Sequence, residues 1–283
     1  MFSEKAMNRA LTITLALLLS TSCATSPLGR KQLMLMPDNE LKRMGLQAFQ
    51  QMKRKAPISR SPQINAYVRC VSDAIISVIG GQWEVIVFED KTPNAFALPG
   101  GKIGVHTGLL KVAANQHQLA TVIAHEVAHV LSRHSNERIS QKLALEQGLN
   151  LGLAIAAPQT ATGKSLLGLL GLGAQYGILL PYSRTHEREA DLLGLDIMAR
   201  AGFDPRESVA LWLNMNRASN RGQPLEFLST HPAHQTRIQD LKARLPQTME
   251  LRRRALANGK NPQCTTSEIG EQESENRGIR SDP

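Results

Sequence analysis

Aromatic side chains are scarce in this 283-residue chain, at 4% of the total, and there are only three cysteines. So few rings supply no base-stacking platform. Lysine and arginine exceed aspartate and glutamate by 33 − 24 = 9, but the positive residues are scattered apart from the run 252–254. That pattern describes a basic, solvated surface, and no nucleic-acid partner is expected. Long apolar runs are missing as well. Residues 10–19 are too few to span a bilayer, and the Gly- and Ala-rich stretch 148–180 is interrupted by Pro158 and Lys164. Helices packed beside a site, with shallow membrane contact, fit that stretch better than a span. The remainder is ordinary globular material, since 42% hydrophobic residues suffice for a sizeable core.

The short apolar run at the start has a distinct layout. Lys5 and Arg9 precede it, and Ser20, Thr21, Ser22 and Cys23 follow, as in a secretory signal. A cysteine directly after small residues resembles a bacterial lipoprotein signal, with 1–22 removed and Cys23 acylated as the first mature residue. Ser20 stands where a bulky aliphatic is usual, so a cleaved signal with an incidental cysteine is the alternative. Ala24 after the cysteine, rather than aspartate, favours the outer membrane. The expected location is therefore the periplasm, with a lipid anchor. Cys70 and Cys264 remain, and their pairing is left open.

Residues 23–37, with Pro27, Gly29 and Pro37, read as a linker. Leu41, Met44, Phe49 and Met52 then recur at helical spacing until Pro57. Ser61 and Pro62 open a second helix as N-cap and first turn, and Gly80 and Gly81 close it. "WEVIVFED" (83–90) and "NAFALPGGKIGVHTG" (94–108) predict three short strands in a small antiparallel sheet with an open edge. From Gln116 the pattern is helical nearly to Leu245. After Pro246 the sequence turns polar, and 247–283 reads as a disordered tail. The expectation is an α+β fold, mostly helical, in one domain over 38–246.

The chemistry lies in "AHEVAHVLSRH" (124–134). His125 and His129, four apart, share a helix face and can reach one metal ion; Glu126 is then placed as general base for a water that the metal activates. With eight histidines in the chain, the chance expectation of this motif is on the order of 0.01. Leu119, Val122, Ile123, Val127 and Val130 would bury the helix and hold its ligands rigidly. One zinc ion per chain suits two imidazoles and a carboxylate, with the fourth position open. A third ligand is needed. His134 lies about 140° further around the helix than His129, and Ser132 and Ser135 stand where the metzincin pattern requires glycine and histidine. "SRTHEREADLLGLD" (183–196) is the better source. Glu187 and Asp191 share a face, as a ligand carboxylate and a second one able to accept a ligand imidazole's N–H; Glu189 points elsewhere. His231, before Pro232 and near His234 and Arg237, fits either a helix start or a donor to an oxyanion. His106, His117, His186 and His234 are read as non-ligands.

Together, His125-Glu126-x-x-His129 and Ser183-Arg184-x-x-Glu187-x-x-Ala190-Asp191 resemble the gluzincin family of HtpX heat-shock proteases and CAAX prenyl endopeptidases (metallopeptidase family forty-eight). The similarity is greatest to its soluble branch of BepA-like and Oma-like proteases. It extends through "NAFALPGG" (94–101) and "STHPAHQTRI" (229–238). The resemblance implies a zincin-like fold, Glu187 as third ligand and Asp191 supporting a ligand. It also implies His231 as oxyanion donor or resting-state cap, and an edge strand at Asn94, Ala95 and Phe96 that takes substrate as an added strand. Unlike the HtpX type, this chain has no secure transmembrane helix, so anchoring falls to Cys23. The expected activity is zinc-dependent endopeptidase action on unfolded or misassembled envelope proteins. The alternatives are a zinc-binding lipoprotein chaperone with little proteolysis, against which the intact Glu126 argues, and a zinc amidase acting on cell wall.

Overall fold

The computed structural model describes residues 23–144, 183–220, 226–231 and 236–265. The expected signal (1–22), the stretch 148–180, Pro232, His234 and the end of the expected tail lie outside them. In chain order the described elements are β1 (Cys23–Thr25), β2 (Lys31–Leu33), α1 (Asp38–Lys55), α2 (Pro62–Ile79), β3 (Glu84–Phe88), β4 (Ala95–Leu98), β5 (Lys102–His106) and a 3-10 turn (Thr107–Lys111). There follow α3 (Gln116–Leu131), α4 (134–144), α5 (Arg184–Arg200), α6 (Glu207–Asn220), α7 (Glu226–Thr230) and α8 (Arg237–Ala257). No described helix is long and apolar enough to cross a membrane. Against the single domain expected over 38–246, the chain divides into two compact units. One takes the described parts of Met1–Leu41 and Arg133–Ile178, the other those of Lys42–Ser132 and Leu179–Pro283.

In the first unit the expected linker is a built hairpin. Strands β1 and β2 pair antiparallel, with Cys23 opposite Leu33, and α4 receives them. Arg30 forks onto both oxygens of Glu137 at 2.6 Å, and Gln32 donates to the same carboxylate at 2.8 Å. Asn136 donates to the Met36 carbonyl, and the Leu35 N–H donates to Ser140 Oγ, each at 2.8 Å. Such a motif escapes sequence reading because its partners lie about a hundred residues away and it has no periodicity of its own.

The second unit is organised around α3. Its N-cap is Asn115, whose side chain accepts from the N–H groups of His117 and Gln118 at 3.0 Å. Every residue from 118 to 129 is buried, because α2, α5, α6 and β4 all pack on it. The expected caps of α2 hold: Ser61 accepts from Ile64 N–H, and Gly80 ends the helix at φ 70°. The sheet has the order β3-β5-β4. Strands β4 and β5 form an antiparallel hairpin around Gly100 and Gly101, both at positive φ. Strand β3 pairs with β5 in parallel, so the expected antiparallel sheet is in fact mixed. The connection from β3 does not fold back as a hairpin; it carries the chain past β5, and β4 becomes an edge.

Two expectations about the C-terminus are corrected. Pro246 does not stop α8, which continues to Ala257. Proline removes one N–H from the helix, but Pro246 and Lys242, whose carbonyl loses that donor, both face solvent. Packing of the opposite face on α5 carries the helix through. The start of the expected disordered tail is also anchored. Cys264 is buried in the core and joined to Cys70 of α2 by a disulfide, and its N–H donates to Gln116 Oε1 at 2.8 Å.

Candidate active site

Four side chains from three helical segments converge. His125 and His129 come from α3, Glu187 from the first turn of α5, and His231 from the residue after α7; one ligand atom from each lies within 4.8 Å of the others. Helix α5 begins at Ser183, whose hydroxyl accepts from His186 N–H, so Glu187 stands where helix N-terminal dipoles favour a negative charge. The imidazole of His231 stacks on Phe227 at 4.5 Å, which holds its plane. Glycine at 194 permits the close approach of α5 to α3, since a Cβ there would stand 3.0 Å from His125 N.

The spacing of donor atoms tests whether a metal fits. Zinc with bonds of 2.0–2.1 Å to four tetrahedral ligands separates the ligand atoms by about 3.3–3.4 Å. Here His129 Nε2 lies 3.1 Å from His125 Nε2 and 3.4 Å from Glu187 Oε1, while the other Glu187 oxygen, Oε2, lies 3.5 Å from His125 Nε2. His231 Nδ1 takes the fourth corner, 3.3 Å from His125 Nε2 and 3.1 Å from Glu187 Oε1. The residues fit a tetrahedral metal ion. Behind them, Asp191 Oδ1 is 3.0 Å from His125 Nδ1, the arrangement that fixes an imidazole with its other nitrogen forward. Arg237 donates to Asp191 Oδ2 at 2.6 Å and to Glu187 Oε2 at 2.7 Å.

Glu126 points beside this cluster. Its Oε1 is 3.2 Å from His231 Nε2, and its Oε2 accepts the N–H of Ala97 at 3.3 Å. Burial pushes the Glu126 carboxyl above its ordinary value. Burial holds His129 well below its ordinary value. In His125 burial acts in the same direction, but Asp191 and Glu187 outweigh it and raise the imidazole to about 9. Burial opposes the charge of Glu187, yet the surrounding imidazoles keep it far below the usual carboxylate range.

The edge strand corrects one sequence reading. The Asn94 carbonyl accepts from His106 N–H at 3.0 Å, so by antiparallel alternation Phe96 also pairs inward with β5. The backbone groups of Ala95 and Ala97 therefore face the outer edge, and those of Asn94 and Phe96 do not. The Phe96 ring packs with Phe49, Phe88 and His106. Arg237, in the sequence only a cation near His231, is committed to the two carboxylates of Glu187 and Asp191. His186 and Glu189 are buried, and neither belongs to the four-residue cluster.

Comparison with known proteins agrees with this geometry. The profile of peptidase family M48 matches residues 70–245. Mitochondrial metalloendopeptidase OMA1 of Schizosaccharomyces pombe is 40% identical over 185 residues, which cover 64% of this chain and 53% of that protein. For OMA1 of Saccharomyces cerevisiae the values are 42% over 180 residues, 61% and 50%. The beta-barrel assembly-enhancing protease of Escherichia coli K12 is 29% identical over 215 residues, covering 72% of this chain and 43% of its own length. The chain thus spans about half the length of the curated relatives it matches. These relatives overturn the expected periplasmic, outer-membrane location, because those of highest identity among them are mitochondrial. A ten-residue apolar run before a cysteine is a weak local pattern, and identity across a whole catalytic domain outweighs it. Profile, motif order and donor geometry agree: the chain belongs to peptidase family M48.

Proposed function

We propose that this protein is a zinc-dependent endopeptidase acting on unfolded or misassembled proteins. The observation that carries the reading is a set of His125, His129 and Glu187 donors at tetrahedral spacing, with Glu126 alongside. Zinc bound there supplies a Lewis acid for the scissile carbonyl and brings the pKa of water down to about 7. Glu126 takes the proton of the attacking water and returns it to the leaving amine. The Ala97 N–H holds one of its oxygens, so the carboxylate stays oriented for that transfer. The outward N–H and C=O of Ala95 and the C=O of Ala97 accept an extended peptide as an added strand, the Ala97 N–H remaining on Glu126. Such an edge selects unfolded chains, since a folded protein rarely presents a free strand.

His231 has two roles in this scheme. With Nδ1 at the fourth corner and Nε2 against Glu126, its ring caps the site at rest. Swung aside, it donates to the oxyanion of the tetrahedral intermediate. The activity is tested by incubating the purified protein with an unfolded protein substrate, with and without chelator, beside Glu126→Gln. Glu126→Gln should bind zinc and cleave almost nothing. Cleavage that persists at the wild-type rate in chelator or in Glu126→Gln refutes the mechanism.

A further inference from the structure

We propose that Arg237 is a positioning residue of the zinc site, holding the ligand Glu187 and the His125 partner Asp191 with one guanidinium. The proposal rests on the zinc reading above. Arg237 is buried, and its Nη2 donates both to Glu187 Oε2 at 2.7 Å and to Asp191 Oδ1 at 3.1 Å, while Nε donates to Asp191 Oδ2 at 2.6 Å. The guanidinium lies 3.6 Å over the Trp212 ring, which fixes its plane. With Glu187 Oε2 occupied, Oε1 is the oxygen left facing His129 and His231. The same fork fixes Asp191 against His125 Nδ1. One side chain therefore sets the orientation of ligands from both α3 and α5. Its charge also lets two buried carboxylates stay ionised side by side.

The helix that carries Arg237 is held in register by further pairs. Arg244 reaches Asp196 at 2.6 Å and Arg252 reaches Asp204 at 3.0 Å. Arg237, Arg244 and Arg252 are spaced by seven and eight residues, so they lie along one face of α8. Only the first touches the metal cluster. That makes Arg244 a control for helix docking without ligand contact. A lysine at 237 keeps the charge but has no planar fork for two carboxylates.

The test measures zinc affinity by chelator competition on folded protein, together with the visible absorption of the cobalt-substituted protein. Arg237→Met should bind zinc about 10–100-fold more weakly, the usual cost of losing a ligand's supporting partner. Its cobalt bands should weaken towards a five-coordinate spectrum as the second oxygen of Glu187 is freed. Arg237→Lys should recover only part of the affinity. Arg244→Met should lower the melting temperature yet leave zinc affinity within about twofold, as an independent site would. Wild-type affinity and spectrum in Arg237→Met overturn the proposal. So does an equal loss of zinc in Arg244→Met, which would reduce Arg237 to helix docking. If Arg237→Met does not fold, Arg237→Lys against Arg244→Met decides by the same criterion. None of these measurements needs a substrate, so loss of the peptidase reading and loss of this proposal are separate results.

Discussion

Replacing Gly194 by alanine sets two effects of opposite sign against each other. Glycine inside a helix is about 1 kcal/mol less favourable than alanine, so propensity alone predicts a more stable α5. The new Cβ, however, would stand 3.0 Å from His125 N and 3.1 Å from Ala124 C and His125 Cα. Ordinary carbon contacts are about 3.5–4.0 Å, and all three neighbours are backbone atoms in the buried middle of α3. They cannot rotate away, so the two helices must part by a few tenths of an ångström. Overpacking of this kind costs about 1–3 kcal/mol. The net expectation is a loss of about 0–2 kcal/mol in the metal-free protein, read from denaturant unfolding at unchanged m. The larger effect falls on metal. His125 and His129 ride on α3 and Glu187 on α5, so parting the helices stretches the 3.5 and 3.4 Å spacings between them. Zinc affinity by chelator competition should fall about tenfold or more. A variant about 1 kcal/mol more stable, with wild-type zinc affinity, would show that the interface has slack and would refute the reasoning.

Further outcomes follow from the same geometry. Glu187→Gln should weaken zinc binding markedly and Glu189→Gln should not; metal analysis showing the reverse order would move the third ligand to Glu189. His231→Ala should lower turnover on a good substrate by about 10²-fold, the typical loss of one oxyanion donor, while zinc exchange becomes faster; if neither changes, His231 only follows the end of α7. Removing the Cys70–Cys264 bridge, which closes a separation of 194 residues, should cost about 2–5 kcal/mol of stability, and an unchanged unfolding midpoint would contradict that. Burial lowers the pKa of His117, so the folded state binds fewer protons than the unfolded state below about 6.5. Stability should therefore fall as pH drops through 6.5 and level off below the folded value; His117→Gln should flatten that slope, and an unaltered slope would assign it to other groups.

What could be read from the sequence was local. The four-residue spacing of His125 and His129, the Ser61 cap, the Gly80 stop and the shared face of Glu187 and Asp191 each depend on neighbours within one or two turns. What stayed hidden depended on partners far along the chain. Nothing in the strand "EVIVF" says whether it will pair parallel or antiparallel, because that is settled by where the next strand goes. In "NAFAL" the period of two groups Ala95 with Ala97, but the parity facing outward is fixed only once His106 bonds to Asn94. Pro246 was read by its local rule, which yields where its side of the helix is wet. Arg237 did leave a trace: arginines at 237, 244 and 252 keep one helical face, and Asp191 and Asp196 offer them partners.

That division has a functional consequence. The helices that bear the proposed ligands His125, His129 and Glu187 are specified by short-range pattern, and strand β4 packs against one of them. The groups that act on those ligands come from elsewhere. His231 and Arg237 lie six residues apart, beyond α7 and at the start of α8, and between them they touch Glu126, Glu187 and Asp191. One is an imidazole at the fourth corner of the cluster, the other a guanidinium held by two carboxylates and an indole. A single short stretch thus bears on both the reactivity and the integrity of the centre. Perturbing His231 should therefore change turnover and metal exchange in a protein that still holds zinc, whereas perturbing Arg237 should change how tightly zinc is held, by about 10–100-fold.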